Sequence, residues 1–136
     1  MFGIKRNRTD DLFSDIVRER ANWTCQRCNG NFENEKHIFD CAHFISRGNK
    51  RLRWDFENAS AICRGCHKYF EKNPDDHAEF VRVMLGDDRY QLLRLRKFRY
   101  WDSSKIDEKE IRAGLKLEWD KMQKDKKLKI LGSSLS

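Results

Sequence analysis

Apolar residues recur at helical spacing near the front of the chain. Leu12, Phe13, Ile16 and Val17 share one face of a segment that Thr9 or Asp10 can cap, which predicts a short amphipathic helix leading into Cys25. From Thr24 to about Cys66 the texture changes. The near-alternating "HIFDCAHF" and the run "NASAIC" predict two short strands joined by a long charged loop. "RGCHKYFEK" then reads as a helix ended by Asn73-Pro74. Asn73 can cap a further helix with Pro74, Asp75 and Asp76 in its first turn, Phe80, Val81, Met84 and Leu85 as its buried stripe and Gly86 as its stop. Asp87 or Asp88 starts another, carrying Tyr90, Leu92, Leu93, Leu95 and Phe98. A last helix is expected from about Asp107 to Lys127, with Ile111, Leu115, Trp119 and Met122 on one face and "GSSLS" as a frayed end. No repeat or low-complexity linker divides the chain, so a single domain over residues 1–136 is expected.

Charge narrows the choice of partner. Lys and Arg total 29 against 22 acidic residues, a net charge of +7, which favours polyanions and makes nucleic acid the default partner. A basic balance also serves solubility alone, so motifs have to decide. No apolar run approaches the roughly 20 residues of a membrane span, and Met1–Phe13 has no signal-peptide core. A cytoplasmic protein without membrane contact is therefore expected. In that reducing compartment the five cysteines read as metal ligands before disulfides.

Cys25-Gln-Arg-Cys28 and Cys63-Arg-Gly-Cys66 are two C-x-x-C knuckles, each offering two thiolates at a bite that suits adjacent corners of tetrahedral zinc. One closed, structural Zn²⁺ is expected, with Gly30 and Gly65 letting the backbone wrap it. Two readings compete. Cys63-x-x-Cys66-His67 also matches c-type haem attachment, which would leave Cys25 and Cys28 unexplained, and His67 could replace a cysteine on the zinc. Cys41 reads as a small buried hydrophobe, and His37 and His77 as solvated.

The order of elements is then a strand with His43, a loop, Asn58, a second strand, a cysteine knuckle, and a helix opened by His67. That order resembles the HNH, or ββα-metal, nucleases over about residues 23–75. Within that superfamily, "CAHFISRG" followed by "LRWDFENASAICRGCHKYF" is most similar to the phage NinG, or Rap, recombination endonucleases, which act on branched DNA. The resemblance implies an α+β fold with a small zinc-stapled ββα-metal core and additional C-terminal helices over about 76–130. It implies a metal-dependent DNA endonuclease, with His43 as general base, Asn58 bracing the loop and His67 holding a catalytic Mg²⁺ or Mn²⁺. Many relatives carry an aspartate or histidine just before the base, where this chain has Ala42. Asp40 is the nearest carboxylate, although it falls on the Ala42 side of an ideal strand; Asp55 and Glu57 are alternatives.

The loop "SRGNKRLRW" sets Arg47, Lys50, Arg51 and Arg53 beside the proposed base, a natural set of phosphate contacts. "RLRKFRYW", from Arg94 to Trp101, interleaves cations and aromatics and reads either as a second patch that stacks unpaired bases or as the solvated face of a helix. Two other classes share the charge and the cysteines: a non-catalytic zinc module that only binds nucleic acid, and a scaffold that recruits proteins through its last helix. Symmetric cutting of a four-way junction would call for a homodimer.

Overall fold

The computed structural model describes residues 5–98 and 106–135. Within them the chain is α+β, with five α-helices and one two-stranded antiparallel sheet. Helix α1 (Arg8–Arg20) is capped by Asn7, ahead of the Thr9 or Asp10 cap expected from sequence. The Asn7 side chain accepts the Asp10 N–H at 3.0 Å while the Asp10 carboxylate accepts the Asn7 N–H at 2.9 Å. This reciprocal capping box draws Thr9 and Asp10 into the buried first turn. After Ala21, Asn22 and Trp23 both adopt the left-handed region, with φ of 53° and 57°, and reverse the chain into the first knuckle. Cations hold this costly turn: the Arg18 guanidinium and the Lys36 ammonium lie 5.3 and 4.5 Å from the Trp23 ring centre.

Strands β1 (Phe39–His43) and β2 (Ala59–Cys63) pair from Phe39↔Cys63 to His43↔Ala59. The register puts Cys63 and His43 at opposite ends of the hairpin, about 13 Å of strand apart. Helix α2 (Arg64–Lys72) leaves directly from β2, as "RGCHKYFEK" predicts. Helices α3 (Pro74–Leu85), α4 (Asp87–Phe98) and α5 (Glu108–Leu135) follow. Gly86, at φ 85°, separates α3 from α4 in a conformation that a side chain would strain. α5 runs past Lys127 to Leu135, through Gly132 and most of the "GSSLS" end expected to fray; the only proline of the chain is Pro74, so no proline stops the helix.

Two apolar clusters organise the molecule. Phe13 and Ile16 of α1, Phe39, Ala61 and Ile62 of the sheet, Trp54, Phe70 and Leu115 form the main one, against which Ile111, Trp119 and Met122 pack. The second joins Ile45 and Leu52, from the loop over 44–58, to Val81 of α3 and to Tyr90 and Leu93 of α4. The charged loop is therefore seated on a helical bed. Met84, expected in the buried stripe of α3, is exposed instead, as are Leu92, Leu95 and Phe98 of α4; the helices meet the loop through the faces that carry Val81, Tyr90, Leu93 and Arg96. No helix among the described residues is long and apolar enough to cross a membrane.

Candidate functional site

Cys25, Cys28, Cys63 and Cys66 bring their sulfurs within 4.8 Å of one another, a cluster compatible with one structural zinc ion. The Cys28–Cys63 sulfur separation of 3.9 Å matches the roughly 3.8 Å edge of a tetrahedron with Zn–S bonds of about 2.3 Å. Backbone geometry prepares the site. The Cys28 and Cys63 N–H groups donate to the Cys25 sulfur at 3.4 and 3.3 Å. Burial raises the Cys25 thiol, but these N–H groups and that of Arg27 outweigh it and bring the pKa down to about 7. The Arg27 guanidinium donates to the Cys66 sulfur at 3.4 Å, which offsets thiolate charge. Gln26 ties the first knuckle to β2: its N–H donates to the Ala61 carbonyl at 3.0 Å and its side chain accepts the Ala61 N–H at 2.8 Å. Gly30 serves through space rather than backbone freedom, since a Cβ there would meet the Phe32 ring at 3.0 Å; the left-handed residue of the turn is Asn29. Gly65 lies inside α2.

At the far end of the hairpin His43 is half-buried under the Phe13 ring, 5.8 Å between centres. Its Nε2 lies 2.8 Å from the Arg53 carbonyl. A carbonyl can only accept, so Nε2 carries the proton and Nδ1 of the neutral ring keeps its lone pair. Burial, followed by the charges of Arg47 and Arg53, holds the His43 pKa below its ordinary value, against the opposing pull of the carbonyl and of Asp10. The ring is therefore a neutral proton acceptor near pH 7.

Asn58 is 1% exposed and spans the base of the loop. Its amide donates to the Ile45 and Leu52 carbonyls at 2.8 and 3.1 Å and accepts the Ile45 N–H at 2.8 Å. Its backbone carbonyl accepts the Phe44 N–H at 3.1 Å.

His67, one turn into α2, meets Asp40 across the hairpin, with Nδ1 3.1 Å from the carboxylate. An N/O pair at this spacing suits neighbouring corners of an octahedral shell with bonds of about 2.1 Å. Asp40 thus reaches His67 although it alternates with His43 along β1, because α2 begins directly after β2, two residues beyond Ile62, the partner of Asp40 in the sheet. Arg64 shares the same carboxylate at 3.0 Å, and Glu71 lies 3.6 Å from Nε2 of His67. Burial raises the Asp40 carboxyl, but Arg64 and His67 outweigh it and hold it below its ordinary value. Asp55 and Glu57 are occupied elsewhere: Arg96 of α4 contacts both, at 3.3 and 3.0 Å, and Arg89 contacts Glu57 at 2.6 Å. His43, His67, Cys41 and Arg47 line one open cleft of about 320 Å³ together with Arg6, Asp10 and Ser14.

The basic loop divides in two. Arg47 and Arg51 are partly exposed and Lys50 is exposed. The Arg53 side chain is only 11% exposed and forms a forked ion pair with Asp10, its Nε 2.8 Å from the carboxylate. Of the "RLRKFRYW" patch, Arg99, Tyr100 and Trp101 lie outside the described residues, Arg96 turns inward, and Arg94 flanks the Tyr90 ring at 5.7 Å. His77, expected to be solvated, stacks on Phe70 at 4.6 Å with a 6° tilt. The sequence offers Asp10 only as a possible helix cap; its buried ion pair with Arg53 has no local signal. No family model, curated protein or solved structure matches the chain.

Proposed function

We propose that this chain is a metal-dependent DNA endonuclease of the ββα-metal type, stapled by zinc. The observation that carries the proposal is the His43–Arg53 hydrogen bond, which leaves the Nδ1 lone pair unprotonated on a residue that lines one cleft with His67 and Arg47. In this reading Nδ1 of His43 takes a proton from the attacking water, and the fixed ring angle limits where that water can sit. Asn58 keeps the loop that supplies the Arg53 carbonyl in register. Arg47, Lys50 and Arg51 hold the DNA backbone, while Arg53 keeps the loop in place from within.

Asp40 and His67 would hold a Mg²⁺ or Mn²⁺ ion, with water and phosphate oxygens completing its shell. When bound, the ion supplies positive charge for the phosphate and the leaving oxygen. The rival reading, a zinc module that only binds nucleic acid, draws its support from Arg64, which already neutralises Asp40. The resemblance to recombination nucleases makes branched DNA, cut by a homodimer, the first substrate to try. The test is cleavage of supercoiled plasmid and of a four-way junction under Mg²⁺ and Mn²⁺ titration. Cutting that depends on the divalent ion supports the enzyme; binding without cutting at any metal concentration supports the rival.

A further inference from the structure

We infer that Asp10, on the first turn of α1 and outside the ββα core, is a positioning residue that sets the orientation of His43 through Arg53. The inference rests on His43 serving as the base. The Asp10 side chain is 4% exposed, yet it is surrounded by donors. Arg53 Nε donates to it at 2.8 Å and the Trp54 indole at 3.0 Å, and Arg47 approaches to 3.7 Å. Residues 53 and 54 are thus pinned by their side chains to a carboxylate that the α1 capping box already holds in place. The carbonyl of the same Arg53 accepts His43 Nε2–H. A movement of the Arg53 backbone would turn the ring and carry the Nδ1 lone pair off its line.

The arrangement also gathers both sides of the basic loop. Arg47 precedes the exposed tip and Arg53 follows it, and Asp10 touches both. A carboxylate near a phosphate site would ordinarily repel the substrate, and its burial against Arg53 removes that objection. The titratable and charged groups that line the cleft with His43 are Asp10, Arg47, Arg6, Cys41 and His67, and Arg53 acts on the ring through its charge and its carbonyl. Asp10 is the only carboxylate among them, and Glu108, whose charge also acts on Arg53, is bonded to Asn7 and Thr9 instead.

The decisive readout is the His43 Nε2–H proton, which gives a slowly exchanging NMR signal only while it is bonded to a carbonyl and shielded from water. Zinc-loaded full-length Asp10→Asn should keep its fold and metal, lose that signal, and cut DNA up to about 100-fold more slowly at unchanged KM. Asp10→Glu should restore part of both. If Asp10→Asn fails to fold, Arg53→Lys carries the test, because it keeps the charge and loses the fork; it should lose the signal as well. The proton is read without substrate, so a wild type that cuts nothing counts against the nuclease reading alone. A folded Asp10→Asn that retains the signal and the wild-type cleavage rate overturns the role given to Asp10.

Discussion

Asn58 and Ile45, one at each end of a long loop, form a closed ring of two hydrogen bonds, each 2.8 Å, in which the side-chain amide pairs with the backbone as a neighbouring strand would. A third bond runs to the Leu52 carbonyl at 3.1 Å. All are buried, so Asn58→Asp, which replaces the amide donor with an acceptor, strands two carbonyls against a charge. It should cost about 3 kcal/mol or more in urea unfolding. A variant that melts like wild type would show that the loop does not depend on this ring.

The four thiols predict one zinc per chain by elemental analysis. Cys66→Ser, or a strong chelator, should unfold the hairpin and α2 together, because metal binding energy there is largely folding energy. The far-UV signal should fall and recover when Zn²⁺ is restored. A zinc-free chain with an unchanged melting curve would remove the staple from the account.

Much of this was legible in the chain because the signals are local. C-x-x-C spacing, strand alternation and the Gly86 stop each lie within a few residues, and the helices and the cysteine cluster follow from them. Long-range pairing was not legible. Nothing near Arg53 separates an arginine that faces solvent from one that grips Asp10, since the partners are 43 positions apart. Ideal strand alternation likewise argued against Asp40 reaching a metal beside His43, because the packing of α2 that brings His67 to Asp40 is a tertiary fact.

Arg53 and Lys50 should therefore behave as opposites. Arg53→Ala leaves Asp10 buried beside no close partner of equal grip, and should lose about 3 kcal/mol of stability, the low end for breaking a buried pair because water reaches the edge of the Arg53 side chain. Lys50→Ala should leave stability alone and, in a nucleic-acid binder, reduce the slope of log affinity against log salt by about 0.9 for one duplex phosphate contact. Unfolding curves and binding isotherms at several salt concentrations check both. Equal stability losses would contradict the division of the loop.

The pH dependence follows from His43. Its folded pKa is depressed, chiefly by burial, so the unfolded chain takes up the proton first as pH falls below the ordinary histidine value of 6.5. The stability that the neutral ring contributes is present above 6.5 and is lost as pH falls through the lower folded value. For the same reason the base stays in its working form to lower pH, and the acid limb of a cleavage profile should have its midpoint below 6.5. A midpoint above 7 would point to a different group.

The central claim is that His43 removes a proton from water while the zinc cluster only supports the fold. It is tested most directly by single-turnover cleavage of supercoiled DNA by His43→Ala, run beside His67→Ala across a Mn²⁺ titration. His43→Ala should stay folded and zinc-loaded, bind DNA as wild type does, and cut roughly 10²- to 10⁴-fold more slowly at every metal concentration. His67→Ala should regain part of its rate as Mn²⁺ rises, because it lacks a metal ligand and keeps its base. A folded, zinc-loaded His43→Ala that cuts at the wild-type rate would contradict the claim and leave a zinc-stapled module that binds nucleic acid.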